Sequence, residues 1–354
     1  MYNIQHSTFV RKFGKDLVIY LVSLLDDIVN LDKSESFILV YHRVINSEDR
    51  CGALSRNNFV IYQDEFVKQI HYLQNNYIIV SVDTLINDLR HGVSTKGKIA
   101  ITFDDGFKDT YENVFPVIKK FNVPVTIYLM GDLGNTGAIS YWWLFIKDLI
   151  YDTNENILHF SCYEFTVNTP IATTRNKNNA IKMLSSIFMS ISTTKHPNLL
   201  KTISSSLGFD LLPDHSTLLL TKEMIIEMHN SKLVDFGGHS RSHAVLSQLN
   251  AEELYADIFE QKKHLENVLG ITLKSFAYPY GMKRFVSKQS IAVIKDSGYK
   301  YALSGEIGIL PVVDNNYFML PRVTTTGTNS VRDLKACLTV LYSAIRSRFG
   351  SLKE

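Results

Sequence analysis

Cysteine is scarce in this chain: three residues in 354, Cys51, Cys162 and Cys337, odd in number and far apart. That excludes a disulfide framework and a cysteine-based zinc site, and it fits a reducing compartment. Charge bias is missing too. The 37 Lys and Arg exceed the 35 Asp and Glu by two, no basic block carries interleaved aromatics, and Arg346-Ser-Arg348 is too short to matter. Nucleic acid is therefore not an expected partner. No run is long enough to span a membrane: Leu17–Leu25, the longest near the N-terminus, has roughly half of the ~20 residues required. It ends in Asp26-Asp27 and lacks a small-residue cleavage site. The expectation is an N-terminal helix within residues 1–36 packed on a cytoplasmic protein, with peripheral membrane contact as the alternative. No repeat with a period of about 20–50 residues occurs, and nothing indicates the oligomeric state.

What is present is apolar residue in quantity, 45% of the chain, enough for one large domain or one domain with a sizeable insertion. From residue 37 short β-branched or aromatic runs alternate with helical patterns, which predicts an α/β domain. Strands are expected at Phe37–Tyr41, Ile99–Phe103, Val125–Leu129, Leu233–Gly237, Ser275–Tyr278 and Tyr301–Leu303. Helices are expected at Tyr62–Asn75, Ser81–Arg90, Val114–Lys120, Lys222–Asn230, Ala251–Leu269 and Val286–Asp296. Residues 137–220 break this rhythm and show no strand–helix alternation, predicting a largely helical insertion into a domain spanning 37–326. A C-terminal helix is expected in 327–354.

The chemistry concentrates where apolar runs stop. Ile99-Ala-Ile-Thr-Phe-Asp-Asp-Gly106 sets Asp104 and Asp105 at the carboxyl end of a buried strand, where open α/β sheets and barrels place their sites. Val234-Asp-Phe-Gly-Gly-His-Ser-Arg-Ser-His243 is a second such end; a helical turn beginning at His239 would put both imidazoles on one face. Phe276-Ala-Tyr-Pro-Tyr-Gly281 is a third, in which proline stiffens the backbone and glycine permits close approach. Two histidines and one aspartate make up the three protein ligands of a catalytic divalent-metal site, and leave the second aspartate as a base.

In order, Thr102-Phe-Asp-Asp-Gly106, His239-Ser-Arg-Ser-His243 and Tyr278-Pro-Tyr-Gly281 resemble the motifs of the polysaccharide deacetylase family, carbohydrate esterase family four. The resemblance covers roughly residues 37–136 and 221–326. It implies a distorted (β/α) barrel of about seven strands and metal-dependent removal of acetyl groups from N-acetylated sugars. It further implies Asp105, His239 and His243 as ligands of zinc, with cobalt or nickel as alternatives, and Asp104 as the base that activates the metal-held water. The backbone N–H of Tyr280 would receive the oxyanion.

Two positions depart from the family pattern. Many members carry an arginine that orients the catalytic aspartate where this chain has Ala277; Arg322, in Leu320-Pro-Arg-Val-Thr324, is the replacement expected from another strand. Many also use a late histidine as general acid, but the last one here is His264, inside a helical pattern, so His42 is the candidate. Arg43, Tyr278, Pro279 and Trp142 are candidates for substrate binding, although Arg43 could simply be solvated and one of Trp142 and Trp143 is expected to anchor the core. His71, His91, His159, His196, His215 and His229 have no partner at ligand spacing. The expected function is deacetylation of an amino sugar in a surface polysaccharide precursor or oligosaccharide. A deformylase or deacylase of a lipid-linked amino sugar, or an inactive metal-containing sugar-binding protein, is the alternative.

Overall fold

In the computed structural model, which describes residues 35–46, 59–131, 141–210, 212, 216–310, 316–325 and 330–338, the first strand among the described residues is β1, Phe37–Tyr41. Each of its five residues is buried, because a parallel strand covered on both faces must be apolar throughout. Short β2 (Arg43–Ile45) and β3 (Val60–Tyr62) pair with each other, and two-residue β4 (Ile78–Ile79) pairs with the start of β5 (Lys98–Phe103). Strand β1 lies parallel to β5, which pairs with β6 (Val125–Leu129), then β9 (Val234–Gly238), β10 (Ser275–Ala277) and β11 (Tyr301–Leu303). On its other edge β1 pairs with the two-residue β12, Val323–Thr324. These seven parallel strands form the curled (β/α) half-barrel expected from the sequence. Leu303 and Leu320 form a parallel bridge, and Arg322 N–H donates to the Glu306 carbonyl at 2.9 Å, so the segment carrying Arg322 ties the two ends of the sheet together.

Most helices follow the expected positions to within a residue or two, but the one expected at Val114–Lys120 is extended at its start by a π-helical stretch, Thr110–Val114, that leads into Phe115–Phe121. The helix expected at 251–269 is also irregular: a second π-helical stretch, Tyr255–Glu260, separates two α-helical pieces. Strand β9 runs close to aromatic neighbours: a methyl group on Gly237 would overlap the Tyr128 ring and sit 2.7 Å from the Ser275 carbonyl, and one on Gly238 would overlap the Tyr299 hydroxyl. Glycine is what lets this strand pass.

Between β6 and β9 the insertion has its own core of Trp142, Phe145, Leu158, Phe160, Leu184 and Ile203, among others. It is not purely helical. To the largely helical insertion expected there the structure adds an antiparallel hairpin, β7 (Ile157–Cys162) with β8 (Phe165–Pro170), packed with helices at Trp142–Asp152, Thr174–Ser190 and His196–Ser206. Leu158, Phe160 and Cys162 face inward while Ile157, His159 and Ser161 face out, a period of two that the amino acids do show. The N-terminal helix expected in 1–36 falls almost wholly outside the described residues. Of the expected C-terminal helix, Val331–Leu338 is described. Among the described residues no helix is long and apolar enough to cross a membrane.

Candidate active site

Three strand ends converge. Asp104 leaves β5 with its N–H donating to the Tyr41 carbonyl at 3.0 Å, and His239 leaves β9 with its N–H on the Leu129 carbonyl at 2.8 Å. The His239–His243 segment is not helical, so it is a loop and not a helical turn that brings the two imidazoles together. Ser240 and His243 both have positive φ, at 64° and 53°, and the loop is fastened from outside. Asp257, in the π-helical stretch, accepts from Ser242 N–H at 2.8 Å, and its own backbone carbonyl accepts from Arg241 N–H at 2.9 Å. From the same helix Gln261 donates to the Leu129 and Gly131 carbonyls at 3.2 and 3.3 Å. Neither residue stands out in the sequence; the π-helical widening that aims them carries no residue signature.

Four of the non-glycine residues with positive φ, Asp105 (74°), Ser240, His243 and Tyr280 (60°), belong to this one site. Such conformations cost of order 1–3 kcal/mol each and persist where surrounding contacts over-determine them.

Asp105, His239 and His243 are all buried, and one candidate ligand atom from each lies within 4.8 Å of the others. Asp105 Oδ1 is 3.4 Å from His239 Nε2 and 3.7 Å from His243 Nε2, and it has no hydrogen-bond partner. A tetrahedral zinc at about 2.0–2.2 Å from its ligands would separate them by roughly 3.3–3.6 Å, so this orphaned acceptor and two imidazoles fit such an ion. His239 Nδ1 donates to the Ala277 carbonyl at 2.7 Å, which leaves Nε2 as the lone-pair nitrogen facing Asp105. His243 is held differently: its Nδ1 is buried with no partner, and its ring lies between Trp143 (centroids 4.6 Å apart) and Tyr280 (4.7 Å).

Burial would raise the Asp105 carboxyl, but the adjacent His239 and the charges of His42 and His243 bring it well below the usual carboxylate range. Burial takes His243 down to about 3, outweighing Asp105, so that imidazole is neutral at ordinary pH. His239 goes the other way: burial lowers it, but Asp104 and Asp105 more than compensate and raise it.

Arg322 reaches Asp104 with two nitrogens, Nη1 to Oδ1 at 2.8 Å and Nη2 to Oδ2 at 2.7 Å, while its Nε donates to the Ser304 carbonyl. Burial pushes Asp104 up; the Arg322 charge, with His239, overrides this and holds the carboxyl below its ordinary value. His42 packs on Phe59, with ring centroids 4.6 Å apart, within electrostatic reach of both aspartates. Burial lowers it, so its resting ring is neutral.

Three expected substrate contacts are placed elsewhere. Arg43 is buried in an ion pair with Asp109, Nε to Oδ2 at 2.7 Å, and its guanidinium lies over the Phe107 ring. Tyr278 is buried and donates its hydroxyl to the Phe318 carbonyl. Trp142 is 2% exposed and stacks on Phe188 inside the insertion core; its neighbour Trp143 is the one that faces the site. Pro279 lies between Tyr278 and Tyr280 in the third strand-end loop. Beside His243 and Tyr280 opens a cleft of about 400 Å³, lined by residues 188–193 of the insertion and by Ala244, Val245, Gln248 and Leu249.

The family model described as polysaccharide deacetylase matches residues 91–302. The chain is similar to poly-β-1,6-N-acetyl-D-glucosamine N-deacetylases of Staphylococcus aureus (22% identity, 87% of this chain, 88% of the relative) and Staphylococcus epidermidis (21%, 82% and 79%). Among solved structures, a Streptococcus pyogenes deacetylase in complex with acetate superimposes with a TM-score of 0.54 at 16% identity, covering 85% of this chain and 96% of that one. A polysaccharide deacetylase from Bacillus cereus gives 0.51 at 16%, over 86% and 69%. These two share the fold. With the family match covering more than half of its length, the chain belongs to the polysaccharide deacetylase family.

Proposed function

We propose that this chain hydrolyses the acetamido group of N-acetyl-hexosamine residues in a polysaccharide or its oligosaccharide precursor, with Asp104 as base and a divalent metal, zinc first, held by Asp105, His239 and His243. One observation carries the proposal: an aspartate kept ionised by a bidentate arginine stands next to a buried Asp-His-His set, one member of which, His243, lines a cleft. The staphylococcal relatives' names indicate the substrate class.

A zinc ion in that set would polarise the acyl oxygen and make water more acidic. Asp104 takes the proton of the attacking water as its oxygen bonds to the acyl carbon. The Tyr280 amide, held at positive φ between Pro279 and Gly281, donates to the oxyanion that develops. When the C–N bond breaks, the proton taken by Asp104 balances the departing amine, directly or through neutral His42. Acetate and a free amine are the products.

The test is acetate release from short β-linked N-acetylglucosamine oligomers by protein reconstituted with zinc, cobalt or nickel. Release that stops on chelation and returns with metal is expected. Stoichiometric metal binding with no acetate from any acetamido-sugar would contradict the proposal.

A further inference from the structure

We infer that Tyr141 and Trp143, at the start of the insertion, are positioning residues for the metal-ligand set, so that the insertion belongs to the site's frame as well as walling the cleft. This rests on the assignment of Asp105, His239 and His243 as ligands.

Asp105 is the weak point of that set on its own. At φ 74° its peptide has left the strand pattern, and its carboxylate Oδ1 meets only two imidazoles at 3.4 and 3.7 Å. The Asp105 carbonyl is secured by Tyr141, whose buried hydroxyl donates to it at 2.6 Å. With that donor removed, a buried carbonyl loses its partner and the peptide can relax towards a commoner conformation, carrying the carboxylate off the two imidazoles. Tyr141 is itself wedged against Phe107 (centroids 5.3 Å) and Trp143 (5.4 Å). Trp143 in turn covers His243, the ligand whose second nitrogen has no hydrogen-bond partner to orient the ring. One histidine is thus oriented by a carbonyl of β10, while the aspartate and the other histidine are oriented by Tyr141 and Trp143, two aromatic residues of the insertion separated by one position. Outer contacts of this kind typically contribute tenfold to hundredfold in metal affinity.

The experiment measures zinc affinity by chelator competition, and apo-protein melting temperature, for wild type, Tyr141→Phe and Tyr301→Phe. Tyr301 is a control of matched chemistry: a buried hydroxyl bonded to Asp83, at the opposite, amino-terminal end of the strands. Tyr141→Phe is expected to weaken zinc binding at least tenfold, with an apo melting temperature no lower than that of Tyr301→Phe, whose zinc affinity stays within twofold of wild type. Should Tyr141→Phe fail to fold, Trp143→Leu is read by the same criterion. Zinc affinity within twofold of wild type in the folded insertion variant, while His243→Ala abolishes binding, would overturn this inference and leave the ligand assignment standing. Absence of stoichiometric zinc in wild type would overturn both.

Discussion

Arg322, carried on the segment that joins the two ends of the sheet, grips Asp104 at the end of β5 through two hydrogen bonds of 2.8 and 2.7 Å, and both side chains are buried. A planar guanidinium matches a carboxylate in a way an ammonium cannot. The pair holds the base ionised and points it, and it does so across 218 residues of sequence.

Arg322→Lys should therefore keep a charge but lose the fork. Asp104 lies below its unfolded value, so the pair's stabilisation is complete above about pH 3.9 and is lost as pH falls through the folded pKa. In the lysine variant that folded pKa rises. The acid limb of kcat/KM should move to higher pH, with a loss of about 1.5–3 kcal/mol of transition-state stabilisation, roughly 10- to 150-fold. An unmoved acid limb would separate Arg322 from the base.

Arg43→Ala should act on stability alone. It strips the charged partner from buried Asp109, leaving the Val44 N–H as a donor to a carboxyl that burial already pushes above the ordinary carboxylate value. Removing one member of such a pair costs about 3–5 kcal/mol. Urea unfolding should report that loss, while KM of the remaining folded enzyme stays at its wild-type value; a raised KM would return Arg43 to the substrate.

Both tryptophans of the chain sit beside histidines, Trp142 near His196 (6.2 Å) and Trp143 near His243 (4.6 Å). Burial lowers His196, whose Nε2 faces the Phe188 carbonyl at 2.9 Å. A depressed imidazole contributes stability above its unfolded value of about 6.5, lost as pH falls through its folded value. Denaturation followed by tryptophan emission should show a lower midpoint at pH 5 than at pH 7. His196→Gln keeps an N–H donor without the titration and should reduce the difference; an unchanged difference would assign the acid sensitivity elsewhere.

How far the residues announce this architecture depends on contact range. Strands such as Val125–Leu129 are apolar throughout because both faces are covered, and abrupt ends at Asp104 and His239 mark the site from sequence alone. Arg322 was legible as a cation in search of Asp104 only because Ala277 occupies the position where a local arginine is expected. What escapes is whatever depends on a distant partner. Val323–Thr324 is too short to carry a period and exists because Leu39 and Val40 pair with it. The hairpin at 157–170 turns through Tyr163, at φ 53°, with no glycine or asparagine at the turn to announce it. Adjacent Trp142 and Trp143 point in different directions because helix phase, set by the insertion core, sends one to Phe188 and the other to His243.

The most direct measurement compares acetate release from N-acetylglucosamine oligomers by zinc-loaded wild type and Asp104→Asn, with bound zinc quantified in both. Asparagine fills the same space, keeps one acceptor for Arg322 and cannot take the proton. The account predicts equal zinc content and a rate about 10²–10⁴-fold lower in the variant. Equal zinc with near wild-type acetate release would contradict it, by showing that Asp104 is not the base.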